Sequence, residues 1–107
     1  DYKLIVKGAI LAARMKVLPL ENIPDYVFEK NYSLMALDDL EKSIQKNKHL
    51  PGISSEKEFR SKNEMDLGEI QMKLLEKVEE LTLYVIQLNK ENKSLKARIQ
   101  KLEKEKK

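Results

Sequence analysis

A seven-residue apolar repeat occupies the last third of this chain and restricts its fold more than any other feature. With Val78, Val85, Asn92 and Ile99 at position a, Leu74, Leu81, Leu88, Leu95 and Leu102 fall at position d, about four unbroken heptads. One helix cannot bury such a stripe by itself. The repeat therefore predicts a long helix over Leu67–Glu105 that self-associates, reaching roughly 58 Å at about 1.5 Å per residue. The alternative is a helix that folds back on its own chain, but no second segment is long enough to cover it.

The charges flanking the lower stripe set a direction. In a parallel, in-register pair, Glu91 at position g faces Lys96 at position e of the next helix, and Arg98 at g faces Glu103 at e. Exposed pairs of this kind contribute about 0.3 to 0.5 kcal/mol each, which biases orientation and register without driving assembly. Asn92 acts in the same sense, because an asparagine at position a is satisfied when aligned with its own copy. Val and Ile at a, Leu at d and one such Asn favour two strands. In the upper half, however, Leu75, Leu83, Tyr84 and Ile86 are apolar and off the stripe. That wider face suits a third helix or the packing of other segments.

Composition limits the rest. A chain of 107 residues that is 36% charged, with four Tyr and two Phe, can bury only a modest core on its own. Without Cys there are no disulfides and no thiolate metal sites, a fact that leaves the compartment open. No apolar run approaches a membrane span, so membrane insertion is not expected, and nothing reads as a signal peptide. The chain opens on Asp1 rather than Met and is read as a piece of something longer, with any export signal upstream. The net charge of +3 comes from 21 basic and 18 acidic residues that are closely intermixed. Intermixing of this kind is a solvated helix surface rather than the segregated basic face of a nucleic-acid binder.

The expected organisation is a strand junction over residues 1–18, a small head over residues 19–66 and a coiled-coil helix over residues 67–107. In residues 2–18, Tyr2, Leu4 and Val6 alternate with Lys3, Ile5 and Lys7, Gly8 punctuates, and Ile10, Ala12, Ala13, Met15 and Val17 continue. This predicts short strands buried between chains or against other strands, although a helix over residues 9–17 is the alternative. Pro19 and Pro24 bracket an extended connector, and Tyr26-Val27-Phe28 reads as a β-prone triplet. A helix is predicted over residues 37–46, with Leu37, Leu40 and Ile44 as its apolar stripe, Asp38, Asp39 and Glu41 early and Lys46 late. Pro51-Gly52 ends it in a turn. Ser55 with Glu58, and Asp66 with Glu69, predict two capping boxes, the first opening a short helix that carries Phe59 and the second the long helix. Head packing is assigned to Tyr26, Phe28, Leu40, Ile44 and Phe59 against Leu75 and Ile86. The fold class is thus α+β, mainly α: short N-terminal strands, a small helical head and a long C-terminal helix in a parallel coiled coil.

Catalytic chemistry has little to stand on. His49 is the one histidine and sits in a turn, with no second histidine to share a metal and no Cys nucleophile. A turn histidine bonded to local backbone is the simpler reading. Ser54 and Ser55 read as helix caps, and Asp38 and Asp39 as first-turn carboxylates whose side chains point in different directions. Tyr26, Phe28 and Tyr32 resemble a carbohydrate platform less than they do the core of a small domain. No catalytic, cofactor-binding or metal residue is assigned.

Four segments carry a family resemblance: Ile23-Pro24-Asp25-Tyr26-Val27-Phe28, Leu37-Asp38-Asp39-Leu40-Glu41, Lys48-His49-Leu50-Pro51-Gly52-Ile53, and the helix from Leu67-Gly68-Glu69 to Leu83-Tyr84. Together they resemble a module that ends many bacterial and phage tail-fibre-like or adhesin-like surface proteins. There it follows a β-rich fibre, and short strands similar to Leu4-Ile5-Val6-Lys7-Gly8 form the junction. The resemblance implies an extracellular assembly cap, on a bacterial surface or a virion, that is trimeric rather than dimeric because such fibres are generally threefold. One position departs: the family places a second Pro after Pro-Gly-Ile, where this chain has Ser54, which predicts a looser turn. The layout also resembles the self-cleaving chaperone domains of some phage tailspikes, but no counterpart of their Ser-Lys site is present, so no proteolysis is expected.

Two other classes compete with an assembly cap. A receptor- or glycan-binding fibre tip would place function on the exposed head residues, and an intracellular dimeric adaptor would use the coil to recruit another protein.

Overall fold

The computed structural model describes residues 1–19 and 23–106; the middle of the expected connector, residues 20–22, and residue 107 lie outside the described residues. The chain is mainly helical, with a 3-10 helix over Pro24–Phe28 followed by α1 (Leu37–Asn47), α2 (Glu56–Lys62) and α3 (Leu67–Glu105). Its extents are 75 × 32 × 29 Å, and the 39 residues of α3 account for most of the longest.

Local chemistry explains where each helix starts and stops. The Oγ of Ser55 accepts from the Glu58 amide at 3.2 Å while the Glu58 carboxylate accepts from the Ser55 amide at 3.2 Å, a complete capping box that opens α2. At α3 only half of the box forms: Asp66 Oδ1 accepts from the Glu69 amide at 2.9 Å, with no return bond. The reason is chemical. The Ser55 hydroxyl also donates to Glu58 Oε1 at 3.2 Å, whereas the Asp66 carboxylate has no proton to offer and repels that of Glu69. Helix α1 ends where Lys48 turns left-handed (φ 62°) and its amide bonds Ile44 O at 2.8 Å, and α2 ends on a left-handed Asn63 (φ 56°). Between them, Pro51 and Gly52 form a turn closed by Ile53 N donating to Leu50 O at 3.1 Å. Gly52 takes the positive φ of 83° there, and the turn is closed despite Ser54. His49 Nδ1 donates to Leu50 O at 3.0 Å, the local backbone bond expected of a turn histidine.

Two expectations change. The triplet Tyr26-Val27-Phe28 lies in the 3-10 helix rather than a β-type segment, because Pro24 at the helix start presets φ. Residues three apart eclipse in a 3-10 helix, so Pro24 and Val27 point the same way and are both buried, while Tyr26 and Phe28 are not. The second change concerns residues 2–18: among the described residues no strand forms, and this segment is exposed throughout. Strands need a neighbouring ladder to satisfy their amides and carbonyls, and one chain supplies none. The segment is tied back at Tyr2, whose hydroxyl donates to Glu64 at 2.6 Å, and Met15, Val17, Leu18 and Pro19 run beside Leu67, Gly68 and Met72 at the start of α3.

Candidate assembly surface

Around a helix of about 3.6 residues per turn, heptad positions fall in the order a, e, b, f, c, g, d. The head occupies the polar part of that circle. The 3-10 helix packs directly on α3, with Val27 only 1% exposed. Three tyrosine hydroxyls fasten this contact. Tyr26 donates to the Glu76 carboxylate (position f), Tyr32 donates to Glu80 (position c), and Tyr84 (position g) donates to Met35 O at 2.6 Å. Glu76, Glu80 and Tyr84 are spaced i, i+4, i+8 and so line up on one side of the helix. Lys77 Nζ bridges Glu76 and Glu80 at 3.5 and 3.0 Å, and the Tyr26 and Tyr32 rings lie 5.9 Å apart.

These contacts set the proton affinities. The hydrogen bond to Glu76 is the main reason that the Tyr26 phenol is pushed up to about 12, with burial and neighbouring carboxylates adding to it. Burial and then the bond to Glu80 raise Tyr32 as well, and burial raises Tyr84. Glu79 (position b) is 7% exposed and has one carboxylate oxygen without a partner. Its carboxyl is held above the usual glutamate range by burial first, then by the charge of Asp25, a hydrogen bond with Asp25 and the charge of Glu76. These groups hold the head on the stalk; among the described residues no group of three or more acidic or histidine side chains is placed to hold a metal.

The a/d stripe is left bare. Leu74, Val78, Leu81, Val85, Leu88, Leu95, Ile99 and Leu102 are all exposed, as is Asn92, over the length of α3. Glu91, Lys96, Arg98 and Glu103 are likewise exposed. Among the described residues, the ion pairs within the chain are Arg60 with Glu56 and Lys77 with Glu76 and Glu80, so those four take no part in one. In the upper half the stripe forms one wall of an apolar groove of about 480 Å³. Leu81, Val85 and Leu88 line one side, and Leu37, Leu40 and Leu50 of the head line the other.

The head-packing set is redistributed. Leu40 and Phe59 are partly covered and Tyr26 makes its polar contact, but Phe28, Ile44, Leu75 and Ile86 are exposed. The residues missed are Val27, which carries the buried contact, and the stalk partners Glu76, Glu79 and Glu80. Their signal was the i, i+4 run of Glu76, Glu80 and Tyr84, readable as a second face of the helix. Comparisons with protein-family models, with curated proteins and with solved structures find no match to this chain.

Proposed function

We propose that this chain is a non-enzymatic oligomerisation and assembly cap at the C-terminal end of a fibrous surface or tail-fibre-like protein, outside the cell or on a virion. Its α3 helices associate as a parallel, in-register trimer through the a/d residues. The observation that carries this reading is the apolar stripe from Leu74 to Leu102, exposed along the side of α3 that the head leaves uncovered. The Glu91–Lys96 and Arg98–Glu103 pairs, free of intrachain ion pairs, support the parallel register. Leu75 and Ile86, exposed beside the stripe, support a face wider than a dimer needs.

Once the α3 helices are joined, the N-terminal segments sit at high effective concentration and in register. Slow interchain β pairing then becomes nearly intramolecular. Leu4, Ile5, Val6, Ile10 and Leu11 are exposed and unpartnered in the single chain, the condition expected of strands completed by neighbours. The test is the mass in solution by light scattering at several concentrations. Three chain masses, constant on dilution, are expected. Two chain masses would refute the threefold assembly and favour the adaptor reading, for which the Asn92-containing seam speaks; one chain mass would refute self-association.

A further inference from the structure

Two apolar residues of α3 have no role in the single chain. Leu75 at position e is 41% exposed and Ile86 at position b is 45% exposed, and both lie on the side of the helix across the seam from the groove. The groove itself, between the seam and Leu37, Leu40 and Leu50, is unfilled. We infer that each head clasps a second copy of the chain: the groove receives the e side of a neighbour's α3, with the neighbour's exposed Leu75 and Ile86 seated against the head. This rests on the parallel self-association proposed above.

Register makes the two surfaces meet. In a parallel coil, position g of one helix faces position e of the next, five residues further along. The groove lies on the g and d side, so the neighbour turns its e side toward the head and, past the Glu79 that its own head covers, the exposed Ile86 at b. Below the head, these pairs are charged, Glu91 with Lys96 and Arg98 with Glu103. Beside the head they become Ile70 with Leu75, Lys77 with Thr82 and Tyr84 with Asn89, and Lys77 is already engaged by Glu76 and Glu80 of its own chain. The coil thus changes from g-to-e ion pairs to g-to-e contacts without one over the stretch where the head stands.

Height agrees as well. The Tyr84 hydroxyl bonds Met35 O at 2.6 Å, which fixes the start of α1 beside the Tyr84 level, and an in-register neighbour brings Ile86 to that level next to Leu37. Its Leu75 arrives about 16 Å higher, toward the N-terminal end of α3, at about 1.5 Å per residue. At that level Ile70 and Leu74 border a second cavity of about 230 Å³ together with Ile53 and Phe59. A segment from elsewhere in the same chain would not explain why Leu75 and Ile86 are spaced to match both depressions.

The absence of Cys makes cross-linking a direct test. Leu37→Cys chains are mixed with affinity-tagged Ile86→Cys chains, dissociated, reassembled and oxidised mildly, so that a tagged heterodisulfide can arise only between chains. Leu37→Cys mixed with tagged Lys90→Cys, an outward f position, is the control, and Leu88→Cys alone reports the seam. Expected are a Leu88→Cys cross-link and a Leu37–Ile86 heterodisulfide at several times the control yield. A Leu88→Cys cross-link with no excess over the control would overturn the clasp while leaving the coil in place. Absence of both products would overturn the coil and the clasp together.

Discussion

Replacing Leu81 and Leu88 together by Asn puts a number on the seam. In the single chain these side chains are 60% and 46% exposed, so roughly half of the burial of each is still to be gained on association. Full burial of a leucine contributes about 1.5 to 3 kcal/mol, which leaves about 0.8 to 1.5 kcal/mol for each of these. The proposed trimer would bring together six such side chains, a loss of roughly 5 to 9 kcal/mol before the added cost of burying carboxamides. At about 1.4 kcal/mol per tenfold, the association constant should fall by about three to six orders of magnitude. Sedimentation velocity and light scattering over a dilution series read this directly, with circular dichroism to follow helicity. The control is Lys90→Asn with Lys93→Asn, at positions f and b, which costs similar helix propensity but leaves the stripe intact. An unchanged mass for the leucine variant, or equal dispersal of the lysine control, would refute the reasoning.

Three further outcomes probe the head. Val27→Ala should loosen the head from α3 by about 2 kcal/mol, at the low end for a core truncation because the site is shallow. Tyrosine fluorescence in this Trp-free chain would show it, and no change in signal or melting would count against Val27 as the anchor. Ser55→Ala should cost about 0.5 to 2 kcal/mol through loss of the capping box, seen as a lower melting temperature with the oligomer mass unchanged. Glu79→Gln should stabilise the fold at neutral pH. Because the folded carboxyl sits above its unfolded value of 4.5, the native state holds more protons between the two values, so stability falls as pH rises through that interval. Thermal melts should show that slope in the wild type and lose it in the variant, the two converging below pH 4.5. Glu58 works in the opposite sense, because its bonds to Ser55 hold it below 4.5. Its contribution is present above that pH and fades as pH falls further, so the two effects occupy separate windows. A variant as pH-dependent as the wild type would rule out Glu79 as the source.

Features that depend on neighbours in the chain were readable from the residues alone. The heptad spacing places a long helix over α3, Ser55 with Glu58 opens α2, and Pro51-Gly52 turns the chain between α1 and α2, because each rests on side chains within a few positions of one another. The half-formed box at Asp66 marks the edge of such reading, since a sequence pattern does not weigh one carboxylate against another. Tyr26-Val27-Phe28 marks it again: composition favours a strand, but burial of Pro24 and Val27 on α3 selects the three-residue repeat of a 3-10 helix. The period of the apolar residues determined that α3 is a helix with a bare stripe. Only the tertiary structure decided that the head takes the opposite, polar face through Tyr26, Tyr32 and Tyr84: the i, i+4 spacing of Glu76, Glu80 and Tyr84 marks a face of α3, but nothing in a spacing names the distant phenols and the carbonyl that bond to it.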